Sequence, residues 1–342
     1  MSHNYPQGNQ SANLTQICTP EHNLDVYLFP TTYILVFVLS VPANLVSLYV
    51  SYQQVMKKNE LGIYLFNLSC SDLFYAFSIP LWIDFSLNHD DWRFGKTLCA
   101  WSAYSLHTNL YCSAGFLTCI SLDRYLAVVY PFRFQHLRTR KMATFISLGV
   151  WAVQSASNVA ILLYEETFNN TDDLFCYDIY PMEEWKAQFS IFNVTVGHFL
   201  PLLIMIFCYH RIYVAVKHNQ ATEDKDKHRI KQLLLIIVVM FTLSFTPYHI
   251  ILLMRSIMEP NNCPFAKRIF APYKVSVALS SVNCLADPLL YCFMSETGRA
   301  DARMIVQCCR TKTPSTPNSE LQMCTVSERM KRTKDFTDIT NI

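Results

Sequence analysis

The chain has 342 residues, of which 51% are hydrophobic and 16% are charged, and its formal net charge is +2 at pH 7. A typical soluble domain carries about a quarter charged residues, so this chain has too few polar side chains to cover a surface that faces water. The composition excludes an ordinary soluble protein and favours a chain that crosses a membrane several times.

Seven apolar segments follow in chain order, each long enough to cross a hydrocarbon core of about 30 Å as a helix. They predict spanning helices over Leu28–Tyr52, Leu61–Leu87, Leu98–Val129, Met142–Tyr164, Gln188–Lys217, Ile230–Met258 and Phe270–Met294. Prolines interrupt five of these segments, which membrane helices tolerate because neighbouring helices and waters satisfy the freed carbonyls. The predicted fold class is an all-α membrane protein, a bundle of seven transmembrane helices.

The segments outside this bundle are more polar. Residues 1–27 predict an extracellular N-terminal tail, residues 28–294 the seven-helix core, and residues 307–342 a disordered cytoplasmic tail. Between the core and the tail, residues 295–306 form an amphipathic run, which predicts a short eighth helix along the membrane. Cys308 and Cys309 follow this run and are candidate palmitoylation sites that would hold it at the inner leaflet.

Charged residues alternate from loop to loop and set the predicted orientation. The loops after the first, third and fifth segments are basic, with Lys57, Arg138 and Lys225 among their residues. The loops after the second and fourth segments are acidic, with Asp91 and Asp172 among theirs. Basic loops remain in the cytoplasm, so the N-terminus is expected outside the cell.

Glycosylation sequons agree with that orientation. Asn9, Asn13 and Asn169 each begin an Asn-X-Ser/Thr acceptor sequence on a segment assigned to the outside. These three asparagines are therefore candidate glycosylation sites.

Four cysteines lie in the segments assigned to the oxidising compartment. Cys99 and Cys176 are candidates for one disulfide bond, and Cys18 and Cys263 for a second that would tie the N-terminal tail to the loop before the seventh helix. Spacing alone does not decide which cysteines pair.

Short motifs occur one per helix and in order along the chain. They are Asn44 in VPANLV, Asp72 in NLSCSDLFYA, the run SLDRYLAVVYP, Trp151, Pro201, FTPYH and ADPLLY. In this combination the chain resembles a rhodopsin-like (class A) G-protein-coupled receptor over about residues 28 to 306. Within that class, PLWIDF, LRTRK, SFTPYH and LYCFMSETGR resemble the proton-sensing receptors.

The resemblance implies a plasma-membrane receptor activated by extracellular acid. It implies coupling to the stimulatory G protein with a rise in cAMP, a Rho-activating G protein as a second class, and action of receptor kinases and arrestin on the tail. The basic third cytoplasmic loop is expected to contact the G protein and anionic membrane lipids. No cofactor, metal or nucleic-acid partner is implied.

The same resemblance assigns a set of residues to the activation switch. Arg124, paired with its neighbour Asp123, is expected to close the cytoplasmic side of the bundle at rest and to face the G protein when the sixth helix swings outward. The other members that the resemblance assigns to this switch are Tyr125, Phe245, Pro247, Pro288 and Tyr291.

A carboxyl group at mid-membrane depth is costly, so Asp72 and Asp287 indicate function. Asn283 and Asp287 are four residues apart and share a helix face, as do Asn109 and Ser113 on the third helix. By resemblance both faces meet Asp72. The two acids cannot both ionise cheaply in a low-dielectric site, so they are expected to titrate as a unit and to act as a proton switch. The alternative is a conventional sodium or water site.

The chain departs from the proton-sensing pattern on the fourth helix. Several relatives carry a third buried acid shortly after the tryptophan that matches Trp151, and here Gln154 stands in that place. An amide does not titrate, so a buried network in this chain senses protons with one acid fewer.

Histidines are the second group of candidate sensors, because the ordinary pKa of histidine, about 6.5, is crossed between resting and acidic tissue. His22, His89 and His249 match positions of the proton-sensing receptors. A solvated surface histidine is the alternative for the first two. His107 and His198 lie in the outer halves of their helices and are either pocket or packing residues.

The loop that carries Glu165, Glu166 and Asp178 makes the outer rim acidic. This acidic loop is either an ordinary solvated face, or its negative field attracts cations and extends upward the pH range over which the receptor titrates.

These residues bear on four classes of function. The first expectation is a proton-activated receptor, and the alternative is a class A receptor for a small lipid such as psychosine or a lysolipid. A retinal pump would need a lysine in the middle of the seventh helix, where Lys274 lies only near the outer end. An enzyme is not expected, because the 342 residues contain 7 glycines and no nucleophile elbow or phosphate-cradling loop.

Overall fold

A computed structural model describes residues 25–88, 90–163, 167–170, 173–176, 180–218 and 224–290 of the chain. Within these ranges the side chains of residues 25–26, 160–163, 167–170, 173–175, 218 and 224–229 are not described. The predictions for the N-terminal tail, the eighth helix and the C-terminal tail lie outside the described residues.

The described residues form a helical bundle with one short strand pair. The helices are α1 (Asp25–Met56), α2 (Leu61–Ala76), α3 (Ile79–Leu87), α4 (Gly95–Val129), α5 (Arg140–Leu163), α6 (Glu184–Val194), α7 (Leu200–His218), α8 (Asp224–Met258), α9 (Cys263–Ser281) and α10 (Asn283–Ala286). A 3-10 turn covers Gln135–Leu137, a π-turn covers Thr195–Phe199, and the strands are β1 (Thr167–Asn170) and β2 (Asp173–Cys176).

Five stretches of the described chain are long and apolar enough to cross a membrane: Tyr27–Met56, Gly95–Val129, Glu184–Lys217, Ile230–Met258 and Cys263–Ala286. The second predicted segment is divided between α2 and α3. The fourth is α5, whose 24 residues reach about 36 Å at about 1.5 Å per residue. The seventh begins at Cys263, earlier than the predicted Phe270.

One break in the helices coincides with Pro80, and a second, at Val282, precedes Pro288 by six residues. Pro80 lies at the second position of α3, just after the break at Phe77–Ser78. Proline suits the first turn of a helix but not its interior, so a new helix begins here. Near the end of the described chain, α9 ends at Ser281, α10 covers four residues, and Pro288 follows Asp287. The break places Asn283 at the start of a new turn and Asp287 just past its end.

The loop after α5 folds into an antiparallel hairpin that the helical prediction did not include. β1 pairs with β2 from Thr167 opposite Cys176 to Asn170 opposite Asp173. A disulfide bond joins Cys176 to Cys99 at the start of α4, in agreement with the first of the two predicted pairs. The hairpin is therefore fixed to the bundle, and the end of the bundle that carries it is called the hairpin end below.

Polarity in the bundle is the reverse of that in a soluble protein. Large apolar side chains such as Leu39, Leu203 and Leu243 are more than half exposed, whereas serines and asparagines fill the interior. The opposite end of the bundle carries Asp123 at the close of α4 and is called the Asp123 end. Such an arrangement suits a bundle surrounded by lipid.

The π-turn is made possible by a glycine that faces an aromatic ring. A Cβ atom on Gly197 would lie 2.6 Å from Cδ1 and 2.7 Å from Cε1 of Tyr111 on α4. Only a residue without a side chain allows this approach. The turn also directs the neighbouring His198 into the bundle, where it is fully buried.

Replacing Gly197 with Ala is expected to lower stability by about 1–3 kcal/mol, because the added methyl group must displace the ring of Tyr111. Gly149→Ala is the matched control, since a Cβ there meets nothing within 4 Å and a helical alanine is favoured over glycine by up to about 1 kcal/mol. Thermal unfolding of the two purified variants should give shifts of opposite sign. Equal midpoints would contradict the close approach.

Candidate functional site

Two carboxyl groups lie in the middle of the bundle. The side chain of Asp72 on α2 is 0% exposed and that of Asp287, just after α10, is 3% exposed. Asn109 on α4 donates from Nδ2 to Oδ1 of Asp72 at 2.9 Å. Asn283 donates from Nδ2 to Oδ2 of Asp287 at 2.7 Å. The structure therefore gives each acid an amide donor from the predicted polar network.

A thiol and a third amide connect these groups across three helices. Cys284 donates from Sγ to Oδ1 of Asn109 at 3.8 Å. Asn44 on α1 donates from Nδ2 to the carbonyl oxygen of Cys284 at 2.9 Å. Ser113 is buried beside this network, but its hydroxyl has no hydrogen-bond partner among the described residues.

Several oxygen atoms of this network have no hydrogen-bond donor among the described residues. They include Oδ2 of Asp72 and Oδ1 of Asn283, and neither carboxyl forms a salt bridge within the described part of the chain. Burial of two negative charges without a counter-charge costs several kcal/mol, so the arrangement can hold either a shared proton or a small cation.

A second buried cluster lies around His249 on α8. The rings of His249 and His198 are stacked face to face, with centroids 4.1 Å apart and planes 6° apart. Nδ1 of His249 donates to the carbonyl oxygen of Phe245 at 2.8 Å, and Nε2 of His198 is 3.2 Å from the hydroxyl of Thr246. Within the described residues, Nε2 of His249 and Nδ1 of His198 lack a partner.

The surroundings of the stacked pair are aromatic. Tyr111 contacts His249 edge-on with centroids 5.8 Å apart, and Phe241 stacks on the other face of His198 at 5.1 Å. His107, one turn before Tyr111 on α4, is 4% exposed and donates from Nδ1 to the carbonyl oxygen of Ala103 at 2.9 Å. His198, predicted as either a pocket or a packing residue, is buried and stacked on the sensor candidate His249.

At the Asp123 end, one carboxyl is shared by two arginines. Asp123 accepts from Nε of Arg124 at 3.0 Å and from Nε of Arg138 at 3.2 Å. Arg138 also donates from Nη2 to Oε1 of Glu60 at 2.8 Å. The predicted pair of Asp123 and Arg124 thus belongs to a cluster of four charged residues, which links α4 to the turns before α2 and α5.

At the hairpin end, Arg255 and Glu259 form a buried ion pair, with side chains 1% and 0% exposed and Nε 2.6 Å from Oε2. The guanidinium carbon lies 4.8 Å from the ring centroid of Tyr180 and 4.0 Å from that of Tyr273. Glu259 Oε1 accepts from the backbone N–H of Met182 at 2.9 Å. This pair fastens the chain segment after the hairpin to α8 and α9.

A second ion pair at the hairpin end joins Lys274 on α9 to Asp90 before α4. Nζ lies 3.0 Å from Oδ2, with the side chains 13% and 6% exposed. The ammonium group also lies over the rings of Phe29, Phe85 and Phe270 at 5.1–5.8 Å from their centroids. Lys274 is therefore a packing and pairing residue, and because α9 begins at Cys263 it lies well inside that helix rather than near its outer end as predicted.

The other predicted switch residues are distributed along the bundle. Tyr125 contacts Phe207 edge-on at 5.7 Å. Phe245 is 1% exposed and packs on Phe241 one turn earlier. Pro247 lies inside α8.

Many predicted site residues lie outside the described part of the chain. They are Asn9, Asn13, Cys18, His22, His89, Glu165, Glu166, Asp178, Tyr291, Cys308 and Cys309. Asn169 lies on β1, but its side chain is not described. Cys263 is disulfide-bonded, and its pairing with Cys18 stays a prediction.

Sequence reasoning missed the partners that complete the charge clusters. Arg255 and Glu259 are four residues apart near the end of a helix, so their spacing was a usable signal. Arg138 and Glu60 are separated by 78 residues and Lys274 and Asp90 by 184, and no local pattern indicates such contacts.

Comparison with known proteins agrees with this bundle. The chain matches the family model described as 7 transmembrane receptor (rhodopsin family) over residues 43–291. This chain belongs to the rhodopsin family of seven-transmembrane receptors, which are multi-pass plasma-membrane proteins that act through G proteins. It is a G-protein-coupled receptor and not an enzyme.

Three relatives illustrate the range of similarity. The chain is 44% identical to human G-protein coupled receptor 65 over 320 residues, which cover 90% of this chain and 95% of the relative. It is 40% identical to human G-protein coupled receptor 68 over 304 residues, covering 88% and 83%. It is 32% identical to chicken lysophosphatidic acid receptor 6 over 290 residues, covering 82% and 94%.

Removing the acid of the buried ion pair is expected to destabilise the receptor. Glu259→Gln leaves the guanidinium of Arg255 without a counter-charge, a change that costs about 3–5 kcal/mol. Adding Arg255→Met in the same chain should recover much of that loss, since the glutamine still accepts from Met182. Thermal unfolding of the single and double variants tests this, and a double variant no more stable than Glu259→Gln alone would argue against the buried charge as the cause.

Proposed function

We propose that this receptor is activated by extracellular protons and couples to the stimulatory G protein, so that cAMP rises, with a Rho-activating G protein as a second partner. In this proposal the N-terminus and the hairpin end face the outside, and the Asp123 end faces the cytoplasm. The single observation that carries the proposal is the buried pair of Asp72 and Asp287, which has no cationic partner among the described residues.

The physical argument starts from the cost of charge at this depth. The carboxyl groups sit on α2 and after α10, on opposite sides of the Asn109 and Cys284 contact. With both ionised they repel, and with a proton present the helices can approach. A difference of one pKa unit between two states biases their equilibrium by about 1.4 kcal/mol per proton, or about tenfold.

One proton does not complete the switch. Moving a receptor from 1% to 99% active takes about 5.5 kcal/mol, so more than one titrating group is required. The stacked rings of His198 and His249 are the second candidate, because two charged rings at 4.1 Å would repel by about 4 kcal/mol at an effective dielectric constant of about 20. The arrangement at rest thus suits uncharged rings and responds to added charge.

Surface groups complete the proposed sensor. His22 and His89, with the acidic rim of Glu165, Glu166 and Asp178, would form additional charge pairs as the outside becomes acidic. Their contribution is proposed from sequence, since they lie outside the described residues.

The proposed output is the charge cluster at the Asp123 end. Arg124 and Arg138 both bind Asp123 in the structure, and in this proposal activation frees Arg124 to face the G protein. Tyr291 and Pro288 follow Asp287 directly along the chain, so a shift of Asp287 is passed to this end over a short distance. Receptor kinases and arrestin act on the C-terminal tail.

A first experiment measures cAMP in cells that express the chain, against mock-transfected cells, as external pH is stepped from alkaline to mildly acidic in lipid-free buffer. A saturable rise that depends on the receptor is expected. A flat response of both cAMP and a parallel Rho readout, with receptor present at the surface, would count against the proton as agonist.

Asp287→Asn should move the midpoint of that pH response. The amide imitates the protonated acid, so basal cAMP at alkaline pH is expected to rise and the increase on acidification to shrink. Asp84→Asn, a carboxyl on α3 outside the network, is the control and should leave the midpoint in place. An unchanged midpoint in well-expressed Asp287→Asn would remove this acid from the sensor and favour a sodium or water site.

A receptor for a small lipid is the second candidate. It is favoured by the 32% identity to chicken lysophosphatidic acid receptor 6. The two functions separate in the same cells, because a lipid receptor responds to added psychosine or lysophosphatidic acid at a fixed alkaline pH. A proton receptor responds to acid in the absence of either lipid.

A further inference from the structure

A buried hydrogen bond joins α2 to α9 on the hairpin side of the two acids. The hydroxyl of Tyr75 lies 2.9 Å from Oγ of Ser281, and the two residues are 1% and 2% exposed. Oγ of Ser281 also donates to the carbonyl oxygen of Val277 at 3.2 Å. The serine proton is therefore used within α9, and Tyr75 is the donor across the gap between the two helices.

This bond lies next to both acids along the chain. Tyr75 is three residues after Asp72, so the two side chains share one face of α2. Ser281 is the last residue of α9, directly before the break at Val282, and Asp287 follows six residues later. Each end of the bond is thus attached to the chain segment that carries one of the acids.

The distance between α2 and α9 controls the chemistry of the acids. Two like charges repel in inverse proportion to their separation, and most strongly where water is absent. α2 packs chiefly on α1 and α4, so packing against α9 adds little to fix that distance. If the two helices could separate, the repulsion between ionised Asp72 and Asp287 would relax, and protonation would bring a smaller gain.

The groups that face the acids from the neighbouring elements are uncharged. Asn44 on α1 and Asn109 on α4 contribute amides, and Cys284 contributes a thiol, the one titratable group among the three. α8 packs on α10 and α5 packs on α2. Residues 232–248 of α8 and 142–159 of α5 contain no acidic or basic side chain.

On α9 itself, the charge nearest to Ser281 along the chain is Lys274, which is paired with Asp90 at the hairpin end. Asp72 and Asp287 therefore respond chiefly to each other, and their separation is the quantity that matters most.

We propose that the hydrogen bond between Tyr75 and Ser281 is a strut that holds α2 and α9 at a fixed distance, and so sets the pH at which the acid pair takes up its proton. Tyr75 and Ser281 are positioning residues, because they act through Asp72 and Asp287 and do not themselves carry the proton. The inference rests on the proposed function, which gives the acid pair the role of proton sensor.

The test follows the acids directly, in full-length receptor purified into micelles. The infrared absorption of protonated carboxyl groups is recorded as pH is stepped from alkaline to acidic, and the part that Asp287→Asn abolishes belongs to the pair. Tyr75→Phe keeps the ring and removes the donor. Its titration midpoint is expected about 0.5 pH unit below that of wild type, about threefold in proton concentration, which corresponds to one neutral hydrogen bond.

Two adjacent serines provide the matched control. Ser280 and Ser281 are both buried, and both donate to the carbonyl oxygen of Val277, but Ser281 is the one that accepts from Tyr75. Ser281→Ala should lower the midpoint as Tyr75→Phe does, and the double variant should lower it no further, since both changes remove the same bond. Ser280→Ala should leave the midpoint in place, and so should Ser281→Thr, which keeps the hydroxyl.

A midpoint in Tyr75→Phe that equals that of wild type, or lies above it, would overturn the strut. A shift in Ser280→Ala as large as that in Ser281→Ala would also overturn it. Melting temperatures check that each variant is folded. If Tyr75→Phe does not fold, the comparison of Ser281→Ala with Ser281→Thr decides the matter in the same way.

The midpoint of the cAMP response in cells should move in the same direction. Because the infrared titration contains no G protein, a shifted carboxyl titration beside a flat wild-type cAMP response would count against proton activation and leave the strut standing. A normal cAMP response beside an unshifted titration would overturn the strut and leave proton activation standing.

Discussion

Lipid offers no hydrogen bonds, so each polar group inside this bundle must find its partner within the protein. The helices satisfy the backbone, and the amides of Asn44, Asn109 and Asn283 are used in turn by carbonyl and carboxyl acceptors. Among the described residues, the ion pairs lie toward the two ends of the bundle, nearer to water. Among the described residues, Asp72 and Asp287 in the middle of the bundle have amide partners and no cation, and the proposed function is built on that imbalance.

The 35-residue helix α4 contributes residues to three polar clusters: the histidines, the central acids and the charges at the Asp123 end. His107 and Tyr111 reach the histidine cluster, Asn109 binds the central acid, and Asp123 holds the arginines at the far end. Asn109 and Asp123 are separated by about 21 Å, at about 1.5 Å per residue. A small movement of this one helix therefore changes contacts in all three clusters. Under the proposed function it gives a physical route between the buried acids and the Asp123 end.

The sequence was informative where a signal is local. Apolar windows predicted the spanning helices, four-residue spacing predicted the shared face of Asn283 and Asp287, and adjacency predicted Asp123 with Arg124. It was uninformative where a contact depends on how distant segments meet. Arg138 joined Glu60, and Lys274 joined Asp90, across long stretches of chain. The inward direction of His198 depends on a π-turn that leaves no mark in hydrophobic periodicity.

The π-turn at Thr195–Phe199 also bears on how this chain is compared with other receptors. A turn of this kind contains one residue more than an α-helical turn, and so shifts the two flanking parts of the helix by about 100° relative to each other. An alignment that carries no gap here would match inward-facing residues of this chain with lipid-facing residues of a receptor whose fifth helix is regular. Homology between binding pockets on this helix should accordingly be assigned by position in space, with a one-residue insertion allowed inside the membrane.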